Sequence, residues 1–379
     1  MMCAHFPWMG RASAAALPAL FLVSLALAGA PAPRPETSGP DTPENQIASL
    51  GSFRFESGEI IDDLKVSYVT YGKLNAARDN AVLSLQHFAG DHHDNEFLTG
   101  PGKALDPEKY FVIATDFLAN AKMRQDLTMG PTNSGLKMRF PRITARDWVN
   151  ADYKLVKEYL GIDHVLAAIG GSIGGINAFQ LAVSHPDFAL AIIPMAASPQ
   201  INPQARLVLR HVRDVIALDP GWYSGMYNVN PVTGLEVALM ELNYWLGSTQ
   251  WYMDTLTTSD KLRNYQTAMQ HVWSGAGLDA RDIYYQLEGW SEFNVGDTPG
   301  FNGDPKAALA AIKAKTLLIG VKEDQLFRRE ELQFAKNAIR NAAYLEVSSP
   351  AGHTASIGAD PKFNETINGE IAKFLATIK

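Results

Sequence analysis

The stretch VLAAIGGSIGGINA, Val165 to Ala178, sets an apolar strand-like run, four glycines around one serine, and a helix-like run end to end. Gly170, Ser172 and Gly174 satisfy G-x-S-x-G, a pattern that holds a serine on a sharp, strained strand-to-helix turn where neighbouring side chains do not fit. The pattern is short enough to arise by chance, so its surroundings decide. The run from His164 to Ile169 precedes it, and Ile176, Phe179, Leu181 and Ala182 follow at helical spacing. The bland alternative is a glycine-rich turn or a phosphate-binding loop at a helix N-terminus. The lysine of a P-loop and the spacing of a dinucleotide fingerprint are both missing, and no cofactor is expected. Ser172 is the candidate nucleophile.

Working outward, Ala81–Leu85, Tyr110–Ala114, Val165–Ala168 and Ala189–Pro194 are continuous apolar runs, as strands buried on both faces are. Helical spacing is read between the first two, and a helix over Ala145–Leu160. Phe53–Ser57 and Lys65–Tyr71 alternate apolar and polar residues, which predicts half-buried antiparallel strands. After position 300, Ala314–Val321 and Ala343–Val347 restore two strands, with a helix over Arg328–Arg340 between them and another over Phe363–Ile378. The alternation predicts an α/β fold: a mostly parallel central sheet with helices on both faces. Between Pro199 and Pro299 it stops. That segment reads as helices rich in aromatics, among them Trp222, Tyr227, Trp251, Tyr265, Trp273 and Trp290, and is expected to form an inserted helical cap over the active face. Most of those rings are expected to serve ordinary packing. The predicted organisation is a signal peptide over 1–30, an extended leader over 31–50, the first part of the core over 51–198, the cap over 199–300 and the second part of the core over 301–379.

Arg11, an apolar run from Ala12 to Ala28 and the small residues Ala28-Gly29-Ala30 form a secretory signal with a cleavage site. The competing reading is an uncleaved anchor, since Pro31 is unfavourable after a cut. Either way the body is expected outside the cytosol, periplasmic or secreted, with no stable membrane span after cleavage. The single cysteine, Cys3, lies in the signal, so a disulfide framework, a thiolate metal site and a cysteine nucleophile all drop out. The net charge of −7 argues against nucleic acid or anionic lipid as partner.

A serine hydroxyl needs an adjacent base, and the base needs a third group to hold its tautomer. Asp324 follows the strand ending at Val321, and His353 follows the one ending at Val347; the C-terminal ends of such strands are where sites of open α/β sheets are built. Glu323 is the competing acid, with Asp324 favoured at the loop tip. Acyl transfer also needs two backbone N–H donors for the oxyanion. Ile173 supplies one, and the loop Gln86–Gly90 the other, with Phe88 chosen and Ala89 the near alternative. Asp91-His92-His93-Asp94 offers metal-ligand residue types, but adjacent loop histidines point apart more often than together, and no metal is expected.

With these residues in view, the chain resembles the homoserine O-acetyltransferase family of α/β-hydrolases from about Gly51 to the C-terminus. The resemblance is carried by GPGKALD (100–106) leading into YFVI, by GGSIGG with His185-Pro186-Asp187, by Asp219-Pro220-Gly221-Trp222, and by the Asp324–Phe327 loop with Gly352-His353. It implies Ser172, Asp324 and His353 as a triad, a helical cap and often a homodimer joined through cap helices. Two departures stand out. The family carries an arginine on a cap helix where this chain reads LNYWLGS (242–248), and an aspartate after the catalytic histidine where this chain has Thr354. Without those charged anchors the site should prefer a less polar substrate, although Arg210 or Arg213 could substitute. The reading that follows is a serine hydrolase acting on a small ester-type substrate, or on an amide or lactone. An O-acyltransferase is the alternative, and a catalytically idle binding protein the third reading.

Overall fold

The runs marked as buried on both faces occupy the middle of the sheet. In the computed structural model, which describes residues 43–123 and 126–378, the main sheet has the order β1 (Gln46–Ser49), β4 (Lys65–Tyr71), β6 (Phe111–Thr115), β5 (Ala81–Leu85), β7 (Val165–Gly171), β8 (Ala189–Met195), β9 (Lys315–Val321) and β10 (Ala342–Val347). β1 and β4 are antiparallel additions; from β6 to β10 every neighbouring pair runs parallel. Successive side chains of a strand face opposite ways, and here both ways are apolar. Leu83, Leu85, Ala168, Ile192 and Leu318 belong to one core layer, with Val149 of α1 (Ala145–Tyr153) and Phe179 of α2 (Ile173–Ser184). Val82, Ala167, Ile169, Ile193 and Ile319 belong to the other, closed by Phe363, Ile367, Ile371 and Leu375 of α10 (Pro361–Leu375). Those four residues recur every fourth position and are at most 2% exposed, one stripe of a helix laid on the sheet.

Three expectations are corrected. Phe53–Ser57 does not join the main sheet: only β2 (Phe53–Arg54) is extended, in a separate hairpin with β3 (Ile60–Ile61). The outer strand comes instead from Gln46–Ser49, inside the stretch read as leader, where Ala48 is fully buried. No helix bridges β5 and β6; the connection runs through turns whose N–H groups are taken by nearby carbonyls and by the Asp91 and Asp106 carboxylates. The helix from Ala145 is real but changes pitch at Lys154, continuing to Tyr159 with five-residue hydrogen bonds such as Leu160 N–H to Leu155 O. It starts where Thr144 and Asp147 cap each other's backbone N–H groups. The signal read over 1–30 lies outside the described residues, among which no helix is long and apolar enough to cross a membrane.

From Pro203 the chain leaves the sheet and returns at Lys315. It forms α3 (Pro203–Ala217), α4 (Val232–Leu246), α5 (Thr249–Thr255), α6 (Ser259–Gly275), α7 (Ala280–Ser291) and α8 (Pro305–Ala310). α3 packs against α4 and α7, and Trp222, Tyr227, Trp273, Tyr285 and Trp290 are buried as packing groups, whereas Tyr223 and Tyr244 stay exposed. α9 (Arg329–Ala338) then connects β9 to β10.

His185, at the end of α2, ties α2 to α1. Its ring stacks on Tyr153 with centroids 3.9 Å apart, and Nε2 meets the Asn150 Oδ1 at 2.9 Å. Burial pushes the imidazole pKa down from 6.5 to about 4, so it stays neutral in the fold while the unfolded chain takes up the proton. Stability contributed by His185 is therefore complete above pH 6.5 and is lost as pH falls toward 4. Urea titrations of wild type and His185→Gln should diverge in slope against pH in that window, the variant being flatter; identical slopes would refute this.

Candidate active site

β7 ends in the turn that carries Ser172, whose backbone stands at φ 55°, ψ −122°. That left-handed conformation is costly for a residue with a Cβ and persists only where the surroundings over-determine it. They do so here: Ser172 N–H donates to Met195 O at the end of β8 (2.9 Å), and Ser172 O accepts from Ile176 N–H (3.0 Å) to open α2. The result lifts the hydroxyl off the sheet at the level where β5, β7, β8 and β9 all end.

The loops after β9 and β10 bring Asp324 and His353 to Ser172. His353 Nε2 lies 2.8 Å from Ser172 Oγ, and His353 Nδ1 lies 2.7 Å from Asp324 Oδ2. Ser172, His353 and Asp324 are 3%, 1% and 6% exposed, so the series is shielded from water. Each member is fixed from behind. Asp324 Oδ1 accepts the N–H groups of Leu326 and Phe327 at 2.8 and 2.9 Å, which leaves Oδ2 for the imidazole. Glu323, the competing acid, points elsewhere: its carboxylate takes Ser348 Oγ–H and Ser349 N–H and so pins the turn after β10. His353 reaches Ser172 because Gly171 has no side chain; a Cβ there would sit 2.3 Å from Ser356 O. Behind the imidazole, Gly352 adopts φ +59° and lies flat against the α4–α5 turn, with room for no Cβ beside Gly247 and Ser248.

The two residues expected to supply donors follow the ends of β7 and β5. Ile173 is the first residue of α2, and its N–H is one of those a helix leaves without an internal acceptor. β5 and β7 end level, with Leu85 opposite Gly170, and Gly174 packs so tightly under β5 that a Cβ would stand 2.5 Å from Leu85 O. This draws the loop carrying Phe88 over the start of α2. Ala89, the alternative donor, is already spent: its N–H donates to Gln286 Oε1 at 3.0 Å. Phe88 N–H donates to no protein acceptor among the described residues. A hydroxyl with an imidazole at 2.8 Å can pass its proton to that ring and attack a carbonyl.

The walls are aromatic. Phe88 touches Trp290 (centroids 5.4 Å), Trp290 touches Phe327 (5.9 Å), and Phe327 meets the His353 ring edge-on (5.4 Å). The cap is latched to the acid loop through Gln325, which donates to Gly247 O at 2.6 Å and accepts from Thr249 Oγ at 2.6 Å. The α4–α5 turn itself, Leu246 to Ser248, carries no cationic residue. The space beside Gly247 is filled by the Tyr252 hydroxyl, bonded to Asn243 O at 2.8 Å. Thr354 turns inward to Ala351 O, at 2.7 Å. Arg210 is paired with Glu292 at 2.7 Å, and Arg213 with Asp214 at 2.7 Å. The two loop histidines do not diverge as expected: their rings lie 4.4 Å apart. Each Nδ1 is nevertheless engaged, His92 by Asp116 at 3.0 Å and His93 by Glu96 at 2.6 Å, and no metal-holding group of three occurs among the described residues. A cleft of about 720 Å³ opens between α3 and α9, lined by Pro199, Asn202, Leu207, Glu331 and Phe334, and includes neither Ser172 nor His353. Gln286, Trp290 and Gln325 were not singled out as site residues from sequence, since each acts across contacts that local spacing does not signal.

Comparison with known proteins agrees with this architecture. Residues 86–360 match the family model described as the alpha/beta hydrolase fold. The homoserine O-acetyltransferase of Carboxydothermus hydrogenoformans is 30% identical over 351 residues, covering 82% of this chain and 90% of its own. That of Symbiobacterium thermophilum is 30% identical over 366 residues, covering 86% and 92%. Among solved structures, a homoserine O-acetyltransferase from Bacillus anthracis superposes with a TM-score of 0.81 at 25% identity, covering 89% of this chain and 98% of its own. Esterase E22 does so with a TM-score of 0.79 at 25% identity, covering 88% and 100%.

The left-handed backbone at Gly352 generates a test. Alanine there would push the preceding turn off α4–α5 and carry His353 with it. Gly352→Ala should slow fluorophosphonate labelling of Ser172 on the order of 100-fold while circular dichroism stays native. Labelling at the wild-type rate would show that the imidazole is positioned by something else.

Proposed function

Because the chain belongs to the α/β-hydrolase fold family and is related to the homoserine O-acetyltransferases, we propose that it is a serine hydrolase of a small ester. The observation that carries the reading is the buried Ser172–His353–Asp324 series with both hydrogen bonds at 2.7–2.8 Å. Ser172 attacks the acyl carbon as His353 Nε2 takes the hydroxyl proton, and Asp324 steadies the imidazolium. The tetrahedral oxyanion is received by the Ile173 and Phe88 N–H groups. Its collapse expels the alcohol, protonated by His353, and leaves an acyl-enzyme. His353 then deprotonates the water that attacks this ester, and a second collapse frees the acid and restores Ser172. No cofactor enters this cycle.

The choice of water over a zwitterionic amino-acid acceptor is supported by the α4–α5 turn, Leu246 to Ser248, which carries no cationic residue and where Tyr252 fills the space beside Gly247. Burying an α-carboxylate and an ammonium without partners costs several kcal/mol, and an ester without formal charge avoids that. The signal-like residues 1–30 support export to the periplasm or beyond, where acetyl-CoA, a cytosolic acyl donor, is lacking. The exposed apolar residues of the cap, including Leu218, Tyr223, Val229 and Met253, support a homodimer through that face. The second reading, transfer of an acyl group to a hydroxyl acceptor by the same residues, is favoured by the named activity of the relatives at 30% identity.

Purified protein should hydrolyse short-chain p-nitrophenyl esters and leave homoserine with acetyl-CoA unchanged. Ser172→Ala should abolish turnover and Asp324→Asn reduce kcat by about 10³- to 10⁴-fold, while Glu323→Gln stays within about threefold of wild type. Homoserine acetylation without esterase activity would overturn the choice of acceptor. Inactivity of wild type toward both substrates would leave a binding protein.

A further inference from the structure

The proposal concerns what keeps the oxyanion loop in register, and it rests on the acyl-enzyme reading above. The loop after β5 contains Ala89 at φ 58°, and the neighbouring turn after β6 contains Ala119 at φ 61°. Both are alanines in a backbone region that favours glycine, and both are buried. One side chain binds both. Gln286, fully buried on α7, accepts Ala89 N–H on Oε1 at 3.0 Å and donates from Nε2 to Ala119 O at 2.7 Å. One helical turn further along the same face, Trp290 packs its ring on Phe88. The two turns are also joined directly, by Asn120 Nδ2 donating to Gly90 O at 3.2 Å. From the core side, Gln86 Oε1 takes Phe117 N–H at 2.8 Å while its Nε2 reaches Gly90 O at 3.2 Å.

From this we infer that Gln286 is a positioning residue for the oxyanion donor: by occupying Ala89 N–H and holding the left-handed turn, it aims Phe88 N–H, the adjacent amide, at the substrate oxygen. A peptide plane turns as a unit, so fixing the Ala89 N–H direction also fixes the Phe88 carbonyl and leaves only φ and ψ of Phe88 between that plane and the Phe88 N–H. The Phe88 carbonyl is held on its other side by His87 Nδ1 at 2.9 Å. Because Gln286 belongs to α7, a helix of the segment inserted between β8 and β9, the donor is complete only when that segment is seated on the sheet.

The experiment compares Gln286→Met, which keeps the volume and loses both hydrogen bonds, with Gln286→Glu, whose carboxyl the full burial of the position drives toward the protonated form, with one acceptor and one donor. Each is measured for ester kcat and KM and for the rate at which a fluorophosphonate labels Ser172, since the phosphonyl oxygen occupies the same donors. Gln286→Met is expected to lose kcat by roughly 10- to 100-fold with KM within about threefold, and labelling should slow by the same factor. Gln286→Glu at pH 6 should recover most of the loss. If Gln286→Met does not fold, Gln286→Asn, equally polar and one methylene short of both partners, takes its place with the same expectation. Wild-type kcat in the folded Met or Asn variant would overturn the inference. So would a loss confined to KM, or no recovery by Glu. Wild-type protein that is neither labelled nor active would instead overturn the acyl-enzyme reading, which keeps the two failures apart.

Discussion

A single serine held at positive φ dictates the shape of everything around it. The Ser172 conformation is unfavourable in isolation, so the fold has to hold it from several sides at once: a hydrogen bond from the end of β8, the first turn of α2, and glycines where neighbouring backbone comes within van der Waals contact. Those glycines explain more than the turn. Gly171 lets the chain beyond β10 cross back over the sheet, and Gly174 lets the end of β5 descend onto α2. The same lack of side chains therefore admits the base from one side and an amide donor from the other.

The inserted helices are part of the site's construction and more than a cover. Gln325 joins the residue next to Asp324 to the α4–α5 turn, Gly352 rests on that turn, and α7 reaches the loop after β5 through Gln286 and Trp290. Acid loop, base turn and donor loop all contact this segment. Relatives at about 30% identity carry the same fold with a different named activity from the esterases it resembles in structure, which fits a design where strand ends hold the reacting groups and the insertion varies the company they keep.

Much of this was legible in the chain because strand ends and tight turns leave local marks. The runs read at Ala81–Leu85, Val165–Ala168 and Ala314–Val321 lie within a few residues of the observed strand limits, and Ser172, Asp324 and His353 could be placed by the strands that precede them. What escaped has a different physical origin. Gln46–Ser49 is too short and polar to announce a strand, and is extended because Lys65–Tyr71 offers it a ladder. The link from Gln286 to Ala89 spans 197 residues, and a glutamine on a helix looks the same whether it faces water or two strained alanines. Nor does the sequence show that the Ala89 N–H, the near alternative to Phe88, is taken by Gln286.

With Ser172 at 3% exposure and His353 at 1%, bulk solvent has no standing access to the reacting atoms. On the acyl-enzyme reading, an acyl group formed on such a serine would be held apart from bulk water. The balance between hydrolysis and transfer would then turn on which acceptor fits beside Phe88, Trp290 and Phe327. A modest change in that aromatic lining could redirect the acyl group without altering any of the residues that move it.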